Sequence, residues 1–82
     1  MLEIVKTTPS SILVKEGEKT IKVQGESFAR GFGSPDFIID IGSVRQWSSP
    51  SGLIDISPAE REEIIKFLLD ELSRRNWIVT AE

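Results

Sequence analysis

Ser57-Pro58-Ala59-Glu60-Arg61-Glu62-Glu63-Ile64-Ile65-Lys66-Phe67-Leu68-Leu69-Asp70-Glu71-Leu72-Ser73-Arg74-Arg75-Asn76 is the stretch on which the fold turns. Ser57 is an N-cap residue, Pro58 suits the first helical position, and Glu60 completes a capping box. The helix is predicted over 57–75, with Asn76 able to take the left-handed stop. At ~100° per residue, Ile64, Leu68, Leu72, Ile65 and Leu69 share an arc of ~140°. One face therefore packs on a sheet. Arg61 falls inside that arc, where its stem can pack while the guanidinium reaches solvent. Phe67 lies ~130° from the arc's centre, among Glu60, Glu63, Glu71 and Arg74. It is either covered by a neighbouring segment or a contact for a partner protein. The acidic first turn of Glu60, Glu62 and Glu63 answers the helix dipole and needs no partner.

Upstream of the helix the pattern has period two. In Thr20–Gln24, Ile21 and Val23 take one face while Thr20, Lys22 and Gln24 take the other, as in a half-buried antiparallel strand. Leu2–Lys6 and Ser11–Lys15 read as strands across the turn-forming 7–10, and Glu16-Gly17-Glu18 as a hairpin tip. Ser27–Ala29 can extend the third strand past Gly25, whose small size suggests a bulge or bend. Gly31–Pro35 reads as a loop. Asp36–Ile41 is the most apolar strand, Val44–Trp47 is either a short helical turn or an edge strand, and Ser48–Gly52 is a polar loop holding Pro50. Trp77–Ala81 closes the chain as a last strand. The expectation is a single α+β domain over 1–82: an antiparallel sheet of about five strands, one helix across one face, then a final strand.

Composition excludes more than it selects. The 82 residues carry 10 basic and 13 acidic side chains, for a net charge of −3. Both halves are mildly acidic and no basic stripe interleaves with aromatics, which argues against nucleic acid. No apolar run reaches the ~18 residues a bilayer span requires. The start of the chain shows no secretory pattern. There is no cysteine, histidine or tyrosine. That removes disulfides, thiolate chemistry, the usual base near neutral pH and the commonest metal ligand. No enzyme and no cofactor is expected. Gly25-Glu26-Ser27-Phe28-Ala29 loosely resembles a nucleophile elbow but has no histidine to serve it. Gly31-Phe32-Gly33 matches neither phosphate-loop pattern. Asp36, Asp40 and Asp55 match no calcium-loop spacing.

Several short motifs resemble a specific group. Val23-Gln24-Gly25-Glu26, the apolar strand after it, Ser43-Val44-Arg45-Gln46-Trp47-x-x-Pro50, and an acidic-start helix with Glu63-Ile64-Ile65 occur in order over roughly residues 10–82. They resemble the small immunity proteins of bacterial polymorphic toxin systems, in particular immunity family seventy-four. Ser48 stands where that family usually has a glutamate after the tryptophan. The resemblance implies a cytosolic protein that binds and neutralises a cognate toxin without catalysis. Gly25, Glu26, Trp47 and Pro50 carry over as candidate partner-binding residues, and Phe67 joins them from the helix pattern. Trp47 has a second reading, as a core or core-edge side chain. The competing function is a protein-interaction or scaffold domain with no toxin partner.

Overall fold

Helix α1, Pro58–Arg74, starts and stops where the sequence signals it. Ser57 Oγ accepts the Glu60 N–H at 3.1 Å, and Glu60 Oε1 reaches back to the Ser57 N–H at 3.4 Å. At the other end Asn76 takes φ 63°. The Asn76 and Trp77 N–H groups donate to Ser73 and Leu72 carbonyls, each at 3.0 Å. This is the bond pair of a Schellman ending, which satisfies carbonyls the helix leaves open. Removing the N-terminal cap with Ser57→Ala is expected to cost about 1 kcal/mol. In a domain this size that lowers the melting midpoint by about 4–8 °C, which a thermal melt measures directly.

The computed structural model describes residues 1–27 and 36–82. The expected extension to Ala29 and the Gly31–Pro35 loop lie outside the described residues. Among those described, seven strands form one sheet: β1 Leu2–Thr8, β2 Ser11–Glu16, β3 Lys19–Ser27, β4 Phe37–Ile39, β5 Gln46–Ser49, β6 Gly52–Asp55 and β7 Val79–Ala81. The main path runs β1-β2-β3-β4-β7, with β5 also on β3 and β6 on β5. β2 and β3 close over Gly17-Glu18, and Gly17 takes φ 62° as the first residue of a two-residue hairpin loop does in a type II′ turn.

β3 organises the sheet. Its whole first part pairs with β2, so the strands on its other edge share that edge in series. β5 joins at Thr20↔Ser48, and β4 joins at Gly25↔Ile39 through Ser27↔Phe37. A 3₁₀ turn, Ile41–Ser43, fills the interval. All pairings are antiparallel except β4 with β7, which is parallel. That direction follows from the long connection through α1, which returns the chain to the same end of the sheet.

The α+β class, the single helix and the last strand are as expected. The difference is in the middle. Ser48–Gly52 is not a loop: Ser48 and Ser49 complete β5, Pro50-Ser51 form the turn, and Gly52 opens β6 at φ 119°. Val44–Trp47 is split as well, since the helical turn ends at Ser43 and the strand begins at Gln46. The β5–β6 hairpin carries the strand count from about five to seven.

The core lies between the sheet and α1. Ile12, Val14, Ile21, Val23, Phe37, Ile39, Val44 and Trp47 from the sheet side meet Ile64, Leu68 and Leu72 from the helix. In α1 these are the i, i+4 and i+8 positions of one face. β1 stays in phase through a bulge between Ile4 and Lys6, so that Ile4 stands opposite Val14 and Thr7 opposite Ile12. The opposite face of the sheet has no helix of this chain over it among the described residues.

Candidate functional site

The family-like stretch 43–47 is built into the fold residue by residue. Ser43 Oγ donates to the Asp40 carbonyl at 2.6 Å and accepts the Gln24 N–H at 2.9 Å, tying the 3₁₀ turn to β3. Val44 is buried. Arg45 Nε donates to the Gly42 carbonyl at 2.7 Å, and Gln46 Nε2 donates to Asp55 Oδ1 at 2.8 Å across the hairpin. Trp47 is 1% exposed. Its indole N–H points to Glu60 Oε2 at 3.4 Å, and Lys19 Nζ stands 5.0 Å from the ring centroid. Glu60 thus faces the helix cap with one carboxylate oxygen and Trp47 with the other.

Trp47 is therefore a strand residue in the core, not an aromatic carried on a loop. Pairing with β6 on one side and β3 on the other draws its ring beneath the helix start. Phe67 is half-buried and packs against the same core. Gly25 lies inside β3, at the point where the register with β2 ends and the register with β4 begins. A Cβ there would overlap the Ile38 carbonyl oxygen and the Phe37 ring. Its small size lets β3 and β4 approach over Phe37.

Of the five singled-out residues, Glu26 and Pro50 have exposed side chains. The Glu26 side chain makes no hydrogen bond or ion pair among the described residues. Pro50 sits on the β5–β6 turn, next to a short edge strand exposing Leu53 (69%) and Ile54 (42%). Glu26 and the Trp47–Pro50 segment do not converge. β5 meets β3 at Thr20, six residues before Glu26, which is about 20 Å of strand.

Two hollows open on the described surface. One of about 430 Å³ is lined by Gln24, Gly25, Glu26, Ile38, Ile39, Asp40 and Glu82. The other, about 230 Å³, is lined by Lys6, Thr8, Ser10, Ser11, Leu13 and Lys22. Sequence reading by motif passed over Lys6 and Lys22, because their proximity depends on strand register rather than on spacing along the chain. The three aspartates weighed as cation ligands do not gather. Asp36 Oδ2 accepts the Ile78 N–H at 2.8 Å, Asp40 Oδ1 accepts the Gly42 N–H at 3.0 Å, and Asp55 bonds Gln46. Among the described residues no group of three or more His, Cys, Asp or Glu could hold a metal ion. No helix among them is long and apolar enough to cross a membrane.

Among the described residues this architecture offers surfaces for association: open strand edges, two hollows and a sheet face with no helix over it. No curated protein and no solved structure matches the chain. The family model described as Immunity protein 74 matches residues 4–82, nearly the whole chain, and the chain belongs to that family.

Proposed function

We propose that this protein neutralises a cognate toxin in the cytoplasm of the producing cell by binding it, without catalysis. The family match over residues 4–82 is the observation that carries this reading. Association by occlusion needs a stable surface with a few anchors and no reactive group. The residue inventory suits that role, since without histidine or cysteine neither of the usual groups reactive near neutral pH is present. Glu26 and Pro50 are the candidate contacts among the family-like residues. Both are exposed, and the Glu26 side chain has no bond to the rest of the fold among the described residues.

The test is co-expression with the proteins encoded on either side of this chain's gene, one of which should be toxic on its own. Growth is expected to recover with the immunity protein present and to fail without it. Protection of the purified toxin should saturate near equal molar amounts. After denaturing separation, the toxin should return with unchanged mass and full activity. Failure to protect at several-fold excess defeats the toxin-neutralising reading. Protection at trace amounts, or a permanently altered toxin mass, defeats the non-catalytic part of it.

A further inference from the structure

Among the described residues, the sheet face opposite α1 has no element packed over it. Ile12, Val14, Ile21 and Val23 turn inward, so alternation sends Leu13, Lys15 and Lys22 outward. The register sets Lys6 opposite Leu13 and Leu13 opposite Lys22, with Lys15 two residues along β2. Neighbouring strands lie ~4.8 Å apart, which places the Lys6 and Lys22 backbones ~10 Å apart across Leu13, with Lys15 ~7 Å along the strand. All three lysines are exposed, and none makes an ion pair or side-chain hydrogen bond among the described residues. Glu3 is the acid nearest by register, opposite Lys15, without forming an ion pair. By contrast, exposed Lys66 on α1 has Glu62, Glu63 and Asp70 within one turn along the chain.

The hydroxyl-bearing residues Thr8, Ser10 and Ser11 join Lys6, Leu13 and Lys22 around the smaller hollow. The Thr8 and Ser11 hydroxyls bond each other at 2.8 Å and Ser11 is buried, so the Lys6 and Lys22 ammonium groups and the Ser10 hydroxyl are the donors this hollow offers a carboxylate. At the far end of the same face the sign reverses, where Glu26 and Asp40 line the larger hollow. We propose that this uncovered face is the toxin-binding surface, with Lys6, Lys15 and Lys22 receiving an acidic segment of the toxin. The proposal rests on the toxin-neutralising reading and narrows it to one surface. In a protein of net charge −3 this cluster runs against the overall sign, and its pairing with an acidic far end would orient a partner of complementary charge. Nucleic acid fits less well. The face presents no aromatic for stacking among the described residues, and its acidic end would repel the continuing backbone.

The experiment compares the wild type with the K6E/K15E/K22E variant, the neutral K6Q/K15Q/K22Q variant and the helix control Lys66→Glu. Thermal melts check that each is folded. The first probe is the protein encoded beside this chain's gene. Charge reversal is expected to weaken binding about 100-fold, neutralisation less, and Lys66→Glu not at all. Wild-type affinity should also fall as salt rises from about 50 to 300 mM. Unchanged affinity in a folded reversal variant overturns the surface, as does an equal loss in Lys66→Glu. If that protein does not bind even the wild type, the toxin reading fails, and poly-L-glutamate followed by amide NMR decides the surface by itself. Shifts concentrated at Lys6, Leu13, Lys15 and Lys22 sustain it, and shifts centred on Arg74 and Arg75 overturn it. Retention of single-stranded RNA by the wild type but not the reversal variant would reassign the face to nucleic acid.

Discussion

Replacing Trp47 with alanine is expected to bring the protein close to unfolding, at a cost of about 3–5 kcal/mol. A domain of 82 residues has a total stability of roughly 4–12 kcal/mol by size, so between about a quarter and all of the margin goes with one side chain. The reason is position. Trp47 is among the largest fully buried side chains, 1% exposed, on a four-residue strand that meets β3 at a single register position. Its ring also lies beside Glu60 of the helix cap and Lys19 of β3. Truncation empties a space that sheet and helix cannot both close into. The far-ultraviolet melt should shift down by roughly 15–30 °C. Trp47→Phe, which keeps an aromatic ring and loses part of the indole's volume with a long 3.4 Å hydrogen bond, should melt well above the alanine variant. A melt unmoved by Trp47→Ala, with partner binding lost, would instead make the tryptophan an interface anchor.

That outcome bears on why some of the fold could be read from the chain and some could not. The helix ends rest on local chemistry, Ser57, Pro58 and Glu60 at one side and Asn76 at the other, so they were legible within a few residues. Thr20–Gln24 was legible because one face is buried and the other wet, which writes period two into the sequence. β6 carries no such record. All four of its residues are exposed, and Leu53 and Ile54 stand side by side without alternation. Ser48 and Ser49 have loop composition but gain strand geometry from β6, a partner that itself gives no signal. The parallel pairing of β4 with β7 is likewise invisible locally, because it is a property of the connection.

The same division applies to the candidate site. Ser43–Trp47 resembles a recognition motif as a string, yet each of its residues has a bond or a buried position in the fold. A family pattern records what must be kept, and in a small domain the structural minimum is a large part of that. Lys6, Lys15 and Lys22 are the reverse case. They are scattered over three strands and form a cluster only once the register of β1, β2 and β3 is set.

Gly25 shows how a family-like residue can be kept by packing alone. Gly25→Ala is expected to destabilise the domain by about 1–3 kcal/mol, at the upper end of that range, from a single added methyl group. The Cβ would overlap two different things, the Phe37 ring and the Ile38 carbonyl oxygen. The ring can be removed by mutation, whereas the carbonyl belongs to β4, which pairs with β3 at Gly25↔Ile39. This separates the two contributions in a double-mutant cycle. Phe37→Leu alone should destabilise through lost core volume, since Phe37 is fully buried. Placed on Gly25→Ala it should cost less than it does alone, because the shared clash is relieved, but the pair should remain below wild type because the carbonyl clash persists. Urea denaturation of the four proteins measures this. Additive losses would mean that β3 and β4 yield to the methyl group without involving Phe37. A Gly25→Ala variant with wild-type stability and lost partner binding would return Gly25 from packing to recognition.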